Sequence, residues 1–402
     1  MKLQRKILTG NYGWFLSSML LFGLAFGLFL GVRDNYLAEI LLAEPFFRGV
    51  VEFFRELPGL LLFLILAIFY RTPENKIIRW ALFICLAGMG GMFFAGNERL
   101  AFVAFLTLWS TGEHILLPVR QSFAVHNARD GEEGQALGIL KSVTAIGQVA
   151  GFFLVPLIFL LFPREGSDLP AFHFVFILVM LAILASLALT VKLQDDSGRV
   201  KRQRFYLDKK FSKFYWLHAF YGGRKQVFLT FAPYVLILHY GASTELIATL
   251  LGVCSLINIL FTPLVGRIID KAGYKIVMVL DTVFLFFICL IYGFAHRLFP
   301  MDVAFYVVCG TFILDAMVSN ASMATSVYVS RISDSREEMA STLSTGLSIN
   351  HVISVAIALA GGVIWERLGI ELLFIMASVM AVCNSLFALT IPRDDKVLSE
   401  KN

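Results

Sequence analysis

Gly266-Arg267-Ile268-Ile269-Asp270-Lys271-Ala272-Gly273-Tyr274-Lys275 is a short, basic, glycine-flanked stretch between two long apolar segments. A turn of this kind joins two membrane helices on the cytoplasmic side, where positive charge is retained. Gly266 lets helix backbones approach closely, as small residues do in membrane packing. Asp270 is placed to cap the following helix or to pair with a neighbouring cation. Gly273 permits a turn with positive φ.

The rest of the chain has the composition this reading requires. Of its 402 residues 58% are hydrophobic, 14% aromatic and only 16% charged, too little charge to cover a soluble surface. The 39 phenylalanines suit lipid-facing helices better than an aqueous core. Lys2, Arg5 and Lys6 precede an apolar run from Tyr12 to Val32 that is too long for a secretion signal, so it reads as a first spanning helix. Cys85, Cys254, Cys289, Cys309 and Cys383 lie in apolar segments at no metal-ligand spacing, which implies neither a disulfide framework nor a metal site. The net charge of +5 is concentrated at helix ends and is no sign of a nucleic-acid partner.

Apolar windows of about 20 residues, enough to cross a ~30 Å hydrocarbon core, recur twelve times. They fall near 12–38, 46–70, 77–96, 100–124, 136–162, 170–192, 213–240, 244–265, 275–296, 301–328, 339–365 and 369–391. Basic residues gather on one set of turns and in a linker at 193–212, which carries Arg199, Lys201, Arg202, Arg204, Lys209 and Lys210. That asymmetry predicts both termini in the cytoplasm of a multi-pass inner-membrane protein. The linker divides the chain into 1–192 and 213–402, and a displacement of 204 positions superposes Ser122, Val125, Asp130, Glu133 and Ala136 on Ser326, Val329, Asp334, Glu337 and Ala340. Five identities at one topological position indicate a duplicated six-helix unit.

The 266–275 stretch resembles the loop signature G-x-L-a-D-r-x-G-r-r of the major facilitator superfamily of transporters. The resemblance extends over nearly the whole chain through the twelve spans, the central linker and the repeat. It implies an all-α integral membrane fold of 12 transmembrane helices in two pseudo-symmetric six-helix bundles, rocking about a central site. It also implies a gating latch made of Gly266, Arg267, Asp270, Lys271, Gly273 and Lys275. The first-half counterpart at 67–76 keeps Lys76 but has neither the glycines nor the aspartate. Gly138, Gly147 and Gly151 in the fifth span match part of an antiporter pattern, with Phe152 where a proline is expected; helix packing explains them equally well.

Ionisable residues at membrane depth carry the chemistry, because each is costly unless it is paired or faces a polar cavity. Arg224 and Lys225 lie about 15 Å into the seventh span, with Tyr221 and Gln226 extending the polar face. They read as a substrate or gating site, or as a structural pair with first-half carboxylates. In the second span Arg48, Glu52, Arg55 and Glu56 share faces at helical spacing ahead of Pro58 and Gly59. Arg33, Asp34, Asn35 and Tyr36 stand near the outer end of the first span. Glu113 and His114 in the fourth span, with Glu52, Glu56 and Asp34, are the candidate proton carriers, since carboxylates and histidines exchange protons. Asp315, Asn350 and His351 supply the matching groups in the second half. Asp281 is expected to pair with the basic turn before it.

No H-E-x-x-H, G-x-S-x-G or P-loop pattern occurs, so the chain is not expected to be an enzyme, and no cofactor is implied. The expected function is secondary active transport of a small polar, anionic or amphipathic solute, coupled to protons. Its partners would be the lipid bilayer, the solute and the coupling proton, with the protein a monomer. A lipid flippase and a multidrug efflux antiporter are the alternatives.

Overall fold

The computed structural model describes residues 10–69, 71–128, 131–162, 168–194 and 206–392, with the backbone alone at 336. Among them the regular elements are all helical. In chain order they are α1 (Asn11–Asn35), α2 (Pro45–Leu60), α3 (Leu62–Ile68), α4 (Glu74–Ala95), α5 (Arg99–His126), α6 (Glu133–Phe159) and α7 (Leu169–Thr190). There follow α8 (Ser212–Tyr240), α9 (Thr244–Ala272), α10 (Tyr274–Leu298), α11 (Met301–Ser319), α12 (Met323–Ile332), α13 (Arg336–Leu368) and α14 (Ile370–Leu389). Arg199, Lys201, Arg202 and Arg204 of the basic linker, and Asp130 of the repeat, lie outside the described residues.

Ten helices among the described residues are long and apolar enough to cross a membrane, with α11 and α12 taken together. The second and seventh expected spans differ for local reasons. The second is interrupted at Leu61 between α2 and α3, just after Pro58 and Gly59, the two poorest helix formers. The seventh, α8, is 29 residues long, but Lys213, His218, Arg224, Lys225 and Gln226 lower its hydropathy. The tenth is also broken, by a 3₁₀ turn at Asn320–Ser322. Asn320 there donates to the Asn258 side chain (2.7 Å) and accepts from Thr262 (3.0 Å).

The helices form two compact units. The first comprises Met1–Leu42, Phe54–Lys201 and Ala242–Ser255, and the second Ala43–Phe53, Arg202–Gly241 and Leu256–Asn402. The opening turns of α2 thus pack with second-half helices, and those of α9 with first-half helices. Gly49 of α2 lies against the Ala358 carbonyl of α13, and Gly252 of α9 against Phe152 and Phe153 of α6.

In the first unit α1 and α6 touch backbone to backbone. A Cβ at Gly23 or Gly27 would overlap the carbonyls of Thr144 and Gln148, and one at Gly147 or Gly151 those of Leu20 and Leu24. Gly138 has nothing within 4 Å of a Cβ and takes no part. An aromatic core continues the packing, with Phe29 against Trp109 (4.9 Å between centroids) and Tyr36 against Phe102 (5.1 Å).

In the second unit Ile269 and Tyr274 are buried on either side of the last turn of α9, with Phe214, Leu217 and Tyr328. The end of α14 is clamped by cations, which suit the exposed carbonyls of a helix C-terminus. Lys275 Nζ donates to Leu389 (2.6 Å) and Ile391 (2.7 Å), and Lys213 Nζ to Thr390 (2.6 Å). Ahead of α8, Lys210 bonds Asp334 (2.6 Å) and Glu338 (3.2 Å). Partial burial pulls the Lys210 ammonium down, but those two carboxylates outweigh it and hold its pKa above the ordinary lysine value.

Candidate functional site

Arg224 lies near the midpoint of α8, a level at which an isolated guanidinium would be costly. It is buried and salt-bridged to Asp315 of α11, and its other terminal nitrogen donates to Ser319 Oγ at 3.1 Å. Ser319 in turn faces Asp315 Oδ2 (3.5 Å), and its carbonyl accepts from Tyr221 (2.8 Å). The rings of Tyr221 and Phe228 lie 5.3 Å and 5.5 Å from the guanidinium carbon, within cation–π range. The partner of Arg224 therefore comes from the second half, and not from the carboxylates of the first. Lys225, about 100° further round the helix, is exposed but still acts electrostatically on Asp315 and on His218. Asn350 of α13 sits directly over Gly222, where a Cβ would displace its Oδ1. His351 is half-buried beside it.

A second network in the same unit joins α2 and α8. Arg48 Nη1 bonds Glu52 Oε2 (2.9 Å), and Glu52 Oε1 accepts from Gln226 Nε2 (3.1 Å). Gln226 also reaches Thr230 at 2.9 Å. Tyr234 lies 5.9 Å from the Arg48 guanidinium and donates to the Ala43 carbonyl. Arg48, Glu52 and Gln226 are all buried. One buried carboxylate thus takes both an arginine and an amide, as buried charge requires.

The first unit holds its ions in smaller groups. Arg33 grips Asp34 through two bonds of 3.1 Å, both residues buried. Asn35 donates to Glu39 (2.7 Å) in a π-helical turn, Tyr36–Ile40, that ends the first span. Arg55 is salt-bridged to its neighbour Glu56, and the Arg55 carbonyl accepts from Ser110. His114, buried one turn beyond Ser110, has Nδ1 2.8 Å from the Ser110 carbonyl and 3.0 Å from its hydroxyl. Glu113 acts electrostatically on His114 and on Arg120, two turns further along α5.

Three features escape a reading of the sequence. Asp281 of α10 is buried, with Oδ1 unpartnered among the described residues. It does not pair with the basic turn, since Lys275 is committed to the end of α14. Instead it lies within electrostatic reach of Arg224 and Tyr221. A carboxylate seven residues into a helix after a basic turn looks in sequence like a surface partner, and only the folded α10 shows it turned inward. The other two are Arg120 and Lys141, which line a cavity of about 460 Å³ between α5 and α6. Counting inward from the span ends puts both close to a boundary, where a cation draws no notice.

The turn at 266–275 is only partly as its sequence predicts. Gly273 has φ +80° and occupies the N-cap position of α10. Asp270 is exposed in the last turn of α9 and makes no capping bond among the described residues, because α9 runs on to Ala272. Arg267 and Lys271 are exposed, and a Cβ at Gly266 would touch only Met323 at 3.9 Å.

The profile of the Major Facilitator Superfamily matches residues 57–313 and, again, 214–402. The chain belongs to that superfamily. It is a multi-pass membrane protein with the fold of secondary transporters, and the second match begins two residues into α8. A bacterial homologue of the iron transporter ferroportin, in its inward-facing state, superposes with TM-score 0.75 at 12% identity, covering 94% of this chain and 97% of that one. A D-xylose–proton symporter gives 0.71 at 14% identity over 96% and 99% of the two chains. The nucleoside transporter NupG gives 0.70 at 15% over 94% and 96%. A search of curated proteins returned no match.

Proposed function

We propose that this member of the superfamily is a proton-coupled secondary transporter of a small polar solute, working by alternating access in the cytoplasmic membrane with both termini inside. The observation that carries the reading is the burial of ionised groups within spanning helices, Arg224 with Asp315 and Arg48 with Glu52. Such groups are expensive in a bilayer and mark substrate or ion pathways. A D-xylose–proton symporter has the same fold, so proton coupling is within its capacity.

In this reading Arg224, Asp315, Tyr221, Asn350 and His351 form the second-half wall of the solute path, with Gln226 linking it to Glu52. Lys225 is the exposed member, reaching Asp315 through its charge. Glu113 and His114 contribute from α5. The coupling proton is taken by Glu113, His114, Glu52, Glu56 or Asp34, to which the buried Asp281 is added. Neutralising one of these carboxylates lowers the cost of moving it through a low-dielectric interior and biases one state of the transporter over the other. The turn from Gly266 to Lys275 gates the path through its exposed Arg267, Asp270 and Lys271.

The test begins with a thermal-shift screen of purified protein against solute classes, since a ligand of the native state raises its melting temperature by mass action. Stabilising solutes are then assayed in proteoliposomes with an imposed pH gradient. Uptake that follows the gradient is the expected result. Uptake indifferent to it removes the proton, and absence of flux for every stabilising solute removes the transporter. Arg224→Ala with unchanged kinetics would take Arg224 out of the solute path.

A further inference from the structure

We propose that the cavity between α5 and α6 is an anion-binding subsite, taking a carboxylate or phosphate group of a small molecule between Arg120 and Lys141. The proposal rests on the transport reading for its physiological sense, but its geometry stands alone. The cavity, about 460 Å³, falls in the range of small-molecule sites. Among the described residues both of its charged lining residues are cations and none is acidic. Among the described residues neither Arg120 nor Lys141 forms a hydrogen bond or an ion pair. Arg33, Arg48, Arg55 and Arg224 each have at least one such bond.

Position sharpens the point. Arg120 lies six residues before the end of α5 and Lys141 eight after the start of α6, roughly 9 Å and 12 Å inside the helix ends at 1.5 Å per residue. Two like charges sharing a cavity repel each other, and the half-buried Arg120 also gives up hydration; a bound anion relieves both costs. The arginine fork offers paired N–H groups to a carboxylate or phosphate, while the lysine acts as a point charge.

The neutral wall fits the same ligand. Gln121 and Gln148 are free of hydrogen bonds among the described residues and bring amide donors to the cavity. The Thr144 hydroxyl is spent on the Leu140 carbonyl at 2.8 Å. The α6 wall is held rigid from behind, because Gly23 and Gly27 of α1 seat directly on the carbonyls of Thr144 and Gln148. A site on a pinned helix keeps its geometry when empty, which lowers the cost of binding. Glu113 is the acid that reaches Arg120 electrostatically, along α5 and off the cavity wall.

The anion can belong to a free solute or to a lipid headgroup, and the experiment separates them. Full-length protein in a neutral detergent is melted with succinate, with inorganic phosphate, with dihexanoyl phosphatidylglycerol, and with sodium chloride at matched ionic strength. A saturable rise in melting temperature with succinate or phosphate over chloride is expected. Arg120→Gln and Lys141→Gln should each weaken the apparent affinity about tenfold or more, the loss of one charge-assisted contact. Arg120→Lys should retain part of it. A response to the short-chain lipid alone, lost in the same variants, supports the anion site and assigns it to a headgroup. Shifts no larger than chloride gives, or shifts that survive in Lys141→Gln, overturn the proposal; exposed Lys141 serves as the check if Arg120→Gln does not fold. Binding in detergent needs no gradient. Its absence therefore removes the subsite and leaves the transport reading standing, whereas binding without flux in liposomes does the reverse.

Discussion

Arg224 in α8 and the pair Arg120 and Lys141 on α5 and α6 solve the same problem in opposite ways. Arg224 is surrounded: it has a carboxylate, a hydroxyl and two ring faces, and its charge is cancelled by Asp315. Arg120 and Lys141 face a cavity walled, among the described residues, by amides, a threonine and apolar side chains, with no acid. A cancelled charge maintains the packing of its helices and offers little to an incoming anion until its partner lets go. An uncancelled one offers its full charge at once. Depth in the membrane therefore says where an ion is costly, and the partner list says what the ion is for.

The contrast breaks most visibly at Asp315. Asp315→Ala leaves the buried Arg224 without its salt-bridge partner, with only the electrostatic reach of Asp281 in its place, which should cost about 3–5 kcal/mol. A large fall in melting temperature in detergent, or loss of the monodisperse peak on size exclusion, reports it. Combining Arg224→Met with Asp315→Leu should recover most of the loss, because an apolar pair of similar volume is often neutral or stabilising relative to buried ions. If the single variant melts no lower than the double, Arg224 has another source of compensation and the contrast with Arg120 weakens.

Much of this frame is legible in the sequence, for physical reasons that differ by element. Ten of the twelve expected spans follow from apolar length, and the 266–275 signature, the linker and the repeat add the resemblance to the superfamily that the profile match shows. Gly273 announces its positive φ because little besides glycine adopts that conformation without strain. Arg48 and Glu52 announce each other by their spacing. The partner of Arg224 is not legible, since Asp315 is 91 residues away and its approach depends on how α8 meets α11. Nor is the cavity. Arg120 and Lys141 sit on different helices, and a count along the chain gives depth without saying whether an acid stands opposite. Asp281 misleads for a related reason: depth and sequence neighbours suggest an outward partner, and the rotation of α10 decides otherwise.

The first unit derives its stability at α1 and α6 from backbone contact instead of ion pairing, and glycine substitutions show this at intermediate cost. Gly151→Ala puts a Cβ into the Leu24 carbonyl, which a backbone cannot easily yield, so about 1–3 kcal/mol should be lost. Gly138→Ala on the same helix meets nothing and should be neutral or gain up to about 1 kcal/mol from helix propensity. Melting curves of the two variants side by side separate contact from propensity. Equal effects would mean that the α1–α6 contact is looser than its geometry implies. The rigid wall assigned to the cavity would then fail with it.

The smallest expected change is the most discriminating. Lys141→Gln should alter stability by no more than about 0.5 kcal/mol, as for a surface residue without a specific partner. Arg120→Gln should be neutral or slightly stabilising, because an unpaired cation at membrane depth gives up hydration and receives no ion pair in return. Both are measured in the absence of added anions and in chloride, where a vacant subsite contributes nothing. This is the reverse of the result expected at Asp315, although all three substitutions remove one charge from a spanning helix. A loss above about 2 kcal/mol in either variant would be the signature of a broken protein contact. It would place Arg120 or Lys141 with Arg224 among the structural ions and leave the cavity without the charge that makes it attractive to an anion. Near-zero effects with binding abolished would have one simple reading: the charges are held there for something that is not part of the chain.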